Sequence, residues 1–562
     1  MASVVGSIFL PAVIAGLVSH AVYKRYEPSV NAFLRNTIFL AAAFMAWAFY
    51  TQREIKIVSI LGRTALFSVL QLLILCLSIS VYRLFLHPLK RFPGPWLAKL
   101  TKLEGLYRAS DGLFHDHMYG DIVRIGPNEL SFRNASAIKR LHGKMNKGPY
   151  FETKVYQEGQ GTSLNSLVDY DIHKTRRKTW DQAFSQKSLK SFGPLFNGLL
   201  DKLCDAIVGF EGLEINFADW CDYYAFDVMG GLAFNKDFGL LTGGAFLPLP
   251  SWCSIMTPVV FEEGPRNYSS FIRSGIKMFY LVANIPWISP LVFLFPIPEE
   301  LRRNTAKFTE LGSKQYEERR AQGTEPNDIF SFLIAAKEAY GSTTTEEDLR
   351  ADSPILFIAG SDTTSTSMAF LFYFLARDKR VYEKLQREVD AAWDGKSPLD
   401  AGMIGAETCP YLHGAIQETL RIVPPAPNGM QRAAPKNGLA IDGVYIPGGT
   451  LISVHAYSAQ HDPRHFTNPL QFAPERWNDL ERNPKWAHVP VAFIPFGLGS
   501  FVCIGRGLAM QELRLIAVRL IRMFDFALAP GFDHDKFWRD LRSWQAIFKP
   551  ELPMIFKRRQ AG

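Results

Sequence analysis

The chain has 562 residues, 48% of them hydrophobic and 13% aromatic, so it carries ample material for a large buried core. Its formal charge of +8 is spread thinly without a long run of like charges, which argues against nucleic-acid binding and fits an anionic membrane surface or an acidic partner better. The six cysteines form no C-x-x-C pair, so the sequence predicts neither a structural zinc site nor a disulfide framework, and a reduced, cytosol-facing body follows.

Three apolar stretches, 4–23, 33–50 and 65–86, open the chain. The first and third are long enough to span a bilayer, whereas the second carries Arg35 and is either a further span or an interfacial or buried helix. The start lacks the basic residues of a cleavable signal peptide, so we expect these stretches to remain as an anchor. The basic residues that follow the third stretch predict a cytosolic main body: Arg83, Lys90, Arg91, Lys99 and Lys102.

The proline-rich segment 87–96 predicts a non-helical hinge between a membrane anchor at 1–91 and a body at 92–562. Within the body, segment 121–132 alternates apolar and polar residues around Gly126-Pro127, which predicts a β-hairpin. Helical patterns dominate the rest, and the longest, 343–378, begins with possible capping boxes such as Thr344 with Glu347. We therefore expect a mostly α fold with a minor β-sheet part.

The glycine-rich stretch FGLGSFVCIG, 496–505, surrounds Cys503. It matches neither a phosphate-binding loop nor a serine nucleophile elbow, and no histidine nearby could activate a nucleophilic thiol. Two interpretations remain: a buried structural cysteine, or a thiolate held by a metal. Gly497, Gly499 and Gly505 favour the second, because they let the backbone bend sharply and approach a flat ligand, and the helix predicted just after them can point N–H groups at the sulfur.

Two further patterns carry polar residues in apolar surroundings. Glu418 and Arg421 lie three apart on one helix face, and with Arg476 they are either ordinary surface charges or a buried cluster that ties a loop to a helix. In AGSDTT, 359–364, Asp362 and Thr363 interrupt the long apolar helix. Such threonines often bond back to the preceding turn, but the polar group also suits a relay that faces a ligand.

Taken together, in this order and spacing, these motifs resemble those of cytochrome P450, the haem-thiolate monooxygenases. The resemblance is to the membrane-bound microsomal type with a fungal style of sequence, and it extends over residues 92 to the end. The resemblance implies a cytochrome P450 fold behind N-terminal transmembrane helices. It implies that Cys503 is the proximal thiolate ligand of haem b and that Thr363 and Asp362 deliver protons on the oxygen side. It assigns Glu418, Arg421 and Arg476 to a structural triad.

The resemblance also implies contacts to the haem propionates from His173, Arg177 and Arg432. The family usually carries a basic residue two positions before the cysteine, where this chain has Phe501. Because the chain has no flavin or nicotinamide motif, electrons are expected from outside the chain, and the resemblance implies NADPH-cytochrome P450 reductase as their source. Part of its basic docking surface is expected at Lys174, Arg176 and Lys178.

The expected activity is hydroxylation or another oxidation of a lipophilic small molecule, a terpenoid or polyketide-type intermediate of secondary metabolism, at the endoplasmic reticulum membrane. The expected pocket walls are 147–157, 254–296, the long helix and 423–430. Asn134 and Asn267 begin N-x-S sequons that should stay unmodified in a cytosolic body. The competing interpretations are a haem-thiolate isomerase or dehydratase, for which the Asp-Thr pair would be superfluous, and a non-catalytic membrane haem-binding protein.

Overall fold

The computed structural model describes residues 2–25, 28–51, 56–112, 120–141, 143–152, 161–242, 268–285, 297–325, 328–340, 344–478 and 481–559. The chain divides into two compact units. The first comprises Met1–Leu106, Ile122–Leu130 and Asn284–Pro296, and the second comprises Tyr107–Asp121, Ser131–Ala283 and Ile297–Gly562.

Three long helices begin the first unit: α1 (Ala2–Arg25), α2 (Val30–Thr51) and α3 (Ile57–Val81). Helix α3 packs against both α1 and α2. At the α1–α3 contact a Cβ atom on Gly16 would lie 2.8 Å from a methyl carbon of Ile74, so the glycine lets the two helices approach closely. Each of the three is long and apolar enough to cross a membrane, and the second apolar stretch is therefore a helix of the same kind as the other two.

The proline-rich connection has no helix from residue 87 to residue 95, as predicted, and α4 (Trp96–Leu100) follows it. Gly94 lies at a φ of 152°, where a Cβ atom would come within 2.2 Å of the carbonyl oxygen of Arg124. The Arg124 N–H donates to the carbonyl of Pro93 at 2.7 Å. The connection is thus fixed against β1 (Ile122–Gly126), which forms the predicted hairpin with β2 (Glu129–Phe132).

The remaining helices are α5 (Leu103–Ser110), α6 (Ala135–Leu141), α7 (Tyr170–Ala183), α8 (Gln186–Ser191), α9 (Gly193–Gly209), α10 (Phe217–Phe234), α11 (Tyr268–Ala283), α12 (Glu299–Ala321), α13 (Ile329–Tyr340), α14 (Glu346–Phe357), α15 (Thr363–Arg377), α16 (Lys379–Ala392), α17 (Pro410–Ile422), α18 (Ala456–Gln460), α19 (Arg506–Met523) and α20 (His534–Arg539). The other strands are β3 (Glu214–Asn216), β4 (Arg432–Ala433), β5 (Leu439–Ile441), β6 (Val444–Ile446), β7 (Leu451–Val454), β8 (Phe524–Leu528), β9 (Arg542–Ser543), β10 (Ile547–Phe548) and β11 (Pro553–Arg558).

The strands form small sheets. β7 lies between β2 and β4, β11 lies between β3 and β8, and β5–β6 and β9–β10 are two-stranded. In the three-stranded sheet Met554 faces Leu528 on one side and Ile215 on the other, and all its pairs are antiparallel. The prediction of a mostly α fold with a minor β part is confirmed.

Helix α15 lies in the centre of the core and packs against α10, α17 and α19. Its residues 368–375 are all buried, because this segment is apolar on every side. The helical stretch Glu346–Arg377 is also long and apolar enough to cross a membrane, but 72% of its most apolar window is buried inside the protein. It is therefore a core helix of the second unit.

The long predicted helix is not one regular α-helix. Its capping box uses Thr345 and Asp348, one residue later than expected, and Pro354 lies inside α14 rather than at its start. A π-helical turn, Ile358–Asp362, separates α14 from α15 and widens the helix at AGSDTT. The space beside Gly360 is taken by α10, since a Cβ atom there would lie 2.1 Å from the sulfur of Met229.

Candidate active site

The cysteine loop bends where the sequence predicts. Gly497 and Gly499 both have a φ of 68°, which L-residues with side chains adopt only with strain. The Cys503 N–H donates to the carbonyl of Phe496 at 2.9 Å, and α19 begins three residues beyond the cysteine. Gly505 has an ordinary φ of −77° and does not need to be glycine for the turn; a Cβ atom there would lie 3.8 Å from the Cys503 sulfur.

The Cys503 side chain is exposed by its accessible surface, yet it is surrounded by protein. Burial raises the pKa of its thiol, while the N–H groups of Gly505 and Arg506 and the charge of Arg177 lower it. The loop and the first turn of α19 thus present a thiol whose anionic form has ready-made donors.

The π-helical turn exposes one side of the central helix. Ala359 is exposed and Thr363 is half-buried, although the flanking turns lie in the core. The Thr363 hydroxyl donates to the carbonyl of Ala359 at 2.8 Å. The bond to the preceding turn therefore exists, and it fixes the position of the hydroxyl on this less buried side of the helix.

Asp362 is buried and belongs to a charged cluster that the sequence analysis did not find. Burial raises the pKa of its carboxyl to about 6, against the lowering effects of Arg273 and Lys549. Arg273 lies 3.9 Å from one carboxyl oxygen, and the other has no hydrogen-bond partner among the described residues. Asp222 holds this cluster together, accepting from Arg273 at 2.7 Å and also from Lys549. A small cavity with room for about one water borders Asp362 and Asp222.

The three predicted triad residues lie together and are fully buried. Glu418 accepts from Arg421 at 2.8 and 2.9 Å and from Arg476 at 3.2 Å. The indole N–H of Trp477 and the backbone N–H of Ala473 also donate to the same carboxylate. Arg421 donates to the carbonyl of Gln460 at 3.0 Å, and the Gln460 side chain accepts from the backbone N–H of Ile494. The cluster therefore connects α17 to the chain that leads into the cysteine loop.

The three residues that the resemblance assigns to propionates lie beside Phe501 or its neighbour Val502. His173 lies 4.4 Å from the Phe501 ring, ring centre to ring centre, and the Arg432 guanidinium lies 4.6 Å from that ring centre. Arg177 donates to the carbonyl of Val502 at 2.6 Å. Burial lowers the pKa of His173 to about 3, so its ring is neutral and offers an N–H, not a charge.

Lys147 joins this group, although its sequence context does not predict such a role. Its ammonium nitrogen lies 4.9 Å from the centre of the Phe501 ring, and its side chain is buried. Segment 147–157 is predicted as part of a substrate wall. No local pattern marks Lys147, since the residues around it come from distant parts of the chain.

The prediction of Arg176 on a docking surface is wrong. Its side chain is 4% exposed and pairs with the buried Asp352. It also donates to the carbonyl of Thr162 in the loop before α7. Arg176 therefore joins α7 both to α14 and to that loop. Lys174 and Lys178 are exposed on the other side of α7.

Part of the expected substrate wall lies outside the described residues, namely 153–157, 254–267 and 286–296, and so does Asn267. Asn134 is half-buried, and its side chain donates to Asp442. Met430, in the expected wall 423–430, is half-buried.

The described residues fit the flat, iron-containing dianion that the resemblance implies. A thiol is exposed with N–H groups directed at it, as a metal-bound thiolate requires. Within the described residues, no carboxylate lies within 4.0 Å of Lys147, His173 or Arg432. Nδ1 of His173 and Nε of Arg432 are buried without a hydrogen-bond partner in that same part of the chain. A bound dianion would satisfy these donors and compensate these charges.

Comparison with known proteins agrees with this chemistry. A family model described as Cytochrome P450 matches residues 115–556. Cytochrome P450 monooxygenase FCK2 of Fusarium pseudograminearum is 32% identical over 508 residues, which cover 88% of this chain and 86% of that protein. Cytochrome P450 monooxygenase orf5 of Eupenicillium brefeldianum is 33% identical over 496 residues, which cover 85% of this chain and 94% of that protein.

Among solved structures, the retinoic acid-bound cyanobacterial CYP120A1 matches with a TM-score of 0.63 and 23% identity, over 83% of this chain and 99% of that chain. This likeness supports the fold, and the family match and the fungal relatives support the activity. The chain therefore belongs to the cytochrome P450 family and is a monooxygenase.

Proposed function

We propose that the chain is a haem b monooxygenase that oxidises a lipophilic small molecule with O2 and with electrons from NADPH-cytochrome P450 reductase. The observation that carries this proposal is Cys503, whose side chain is exposed and receives backbone N–H groups. Cys503 would hold the haem iron, which when bound supplies the chemistry of oxygen activation. A metal holds a thiolate even where burial raises the thiol pKa.

The protein's own proton donors would be Thr363 and Asp362. Thr363 holds its hydroxyl on the less buried side of the helix by donating to the carbonyl of Ala359. Asp362 has a pKa raised to about 6 by burial, so it can both accept and release a proton near neutral pH. Water in the adjacent small cavity would exchange protons with its unpartnered oxygen. This arrangement would be superfluous in an isomerase or a dehydratase.

The substrate class rests on the chemistry of the described walls. Ile355 near the end of α14 and Ile358 and Ala359 in the π-helical turn are at least partly exposed, and Met430 is half-buried in the segment after α17. These side chains are apolar, so the substrate would be held by burial of apolar surface. The relatives FCK2 and orf5 are fungal monooxygenases, and by analogy we expect a terpenoid or polyketide-type intermediate of secondary metabolism.

We place the protein in the endoplasmic reticulum membrane, anchored by residues 1–91, with the catalytic body at 92–562 in the cytosol. The support is the three apolar N-terminal helices and the basic residues that follow the third. The exposed Lys174 and Lys178 would form part of the docking surface for an acidic face of the reductase. A glycan on Asn134 in cells would contradict this orientation.

The test is expression of the full chain in membranes with and without the reductase, with candidate lipophilic metabolites. We expect substrate-dependent consumption of NADPH and O2 and a product heavier by oxygen. An oxygen-independent product would instead identify an isomerase or dehydratase. Haem binding with neither product nor consumption, across a broad lipophilic panel, would indicate the non-catalytic alternative.

A further inference from the structure

Lys147 is held opposite Arg432 by the backbone. Residue 147 forms an isolated antiparallel β-bridge with residue 432. The Gly148 N–H donates to the carbonyl of Gln431, and the Ala433 N–H donates to that of Asn146, both at 3.0 Å. This short pairing fixes where the lysine side chain begins, so its approach to Arg432 does not depend on a flexible loop.

The Lys147 side chain points into the protein. It is 4% exposed, and its ammonium donates to the carbonyl of Asn165 at 2.7 Å. The ammonium lies 4.9 Å from the centre of the Phe501 ring, and the guanidinium of Arg432 lies 4.6 Å from the same ring. An aromatic face attracts cations but does not neutralise them. Two cations therefore lie against the Phe501 ring, at the position where members of this family usually carry one basic residue.

These cations lack compensation in the protein itself. Burial lowers the pKa of Lys147 well below its usual range, and the charges of Arg432 and Arg177 lower it further. Among the described residues no carboxylate pairs with Lys147 or Arg432, and the partner of Arg177, Asp181, is itself exposed. Buried unpaired cations are costly, so the group is complete only with an anion between them.

We infer that Lys147 binds a haem propionate and takes over the role of the basic residue that Phe501 replaces. This inference rests on the proposed function. The cation reaches the site from the segment before Gly148 instead of from the cysteine loop, and the Phe501 ring holds it there. Lys147 and Arg432 would pair with propionate oxygens, and the free N–H of His173 would donate to them.

The experiment measures haem loss from the full-length holoprotein to an excess of a haem-scavenging protein, together with the haem-to-protein ratio after purification. Lys147→Met keeps the length of the side chain and removes the charge, and it should speed haem loss at least about tenfold. Lys147→Arg should stay close to the parent. Lys144→Met is the matched control, because that lysine is three residues away with a 68% exposed side chain, and it should lose haem at the parent rate.

The decisive variant moves the charge back to the family's usual position. Phe501→Arg in the Lys147→Met protein should restore haem retention to within about threefold of the parent, which a merely structural role of Lys147 would not allow. Parent-like haem loss in Lys147→Met, or loss that Phe501→Arg leaves unchanged, would overturn the inference while leaving the proposed function intact. A parent chain that binds no haem would overturn both.

Discussion

Replacement of Glu418 by alanine should destabilise the fold more than any surface charge change. Five hydrogen bonds of 2.8–3.2 Å converge on this carboxylate, from Arg421, Arg476, Trp477 and Ala473. Glu418 and both arginines are fully buried, so alanine leaves two cations without a counter-charge. Breaking a buried pair by removal of one partner costs about 3–5 kcal/mol.

The assay is thermal unfolding of the holoprotein followed by tryptophan fluorescence. Unfolding entropy is about 2.1 cal/mol/K per residue, so a body of this size has roughly 1 kcal/mol/K and the Tm should fall by about 3–5 °C. The control is Glu317→Ala, which breaks a surface pair with Arg350. The Glu317 side chain is 56% exposed. Such pairs contribute about 0–1 kcal/mol, and the Tm should fall by about 1 °C at most. Equal shifts in the two variants would refute the reasoning.

Three further changes test the central helix. Thr363→Ala should retain haem but form less product per NADPH, because the positioned hydroxyl is lost. The control Thr305→Ala breaks the same kind of bond to the preceding turn in α12 and should not alter that ratio. Equal ratios in the parent and both variants would leave Thr363 purely structural. The pKa of Asp362 is raised from 3.8 to about 6, so its ionisation costs stability as pH rises through that interval. Asp362→Asn should remove this loss and be more stable than the parent at pH 7 by about 3 kcal/mol. Parallel curves of Tm against pH for the parent and the variant would contradict this. Gly360→Ala should lower the free energy of unfolding by about 1–3 kcal/mol through collision with Met229, and adding Met229→Ala should relieve part of that loss. An unchanged Tm in Gly360→Ala would show that α10 shifts to make room for the methyl group.

The sequence predicted those features whose signal is local. The glycine-bounded loop of Cys503, the hairpin around Gly126-Pro127 and the Glu418–Arg421 pair each lie within a few residues, where spacing alone determines geometry. Two features of the long helix escaped. The cap shifted by one residue because Thr344 and Thr345 offer overlapping boxes. The π-helical turn has no distinct composition.

The missed side chains depend on partners far away in sequence. The sequence of α7 predicts Arg176 as a surface charge. In the structure Arg176 is buried and pairs with Asp352, which lies 176 residues further along the chain. Lys147 acquires its role only through the bridge to Arg432 and the ring of Phe501. Tertiary packing decides such cases, because a charged residue in a helical pattern is exposed or buried according to what packs on it.

The most direct test of haem-thiolate ligation is the carbon monoxide spectrum of the reduced full-length protein. The parent should give the red-shifted band of a thiolate-bound haem, and Cys503→Ala should not. Cys409→Ala is the matched control, because that cysteine is also free but fully buried at the start of α17, and it should keep the band. A red-shifted band that survives in Cys503→Ala would contradict the assignment of Cys503 as the iron ligand.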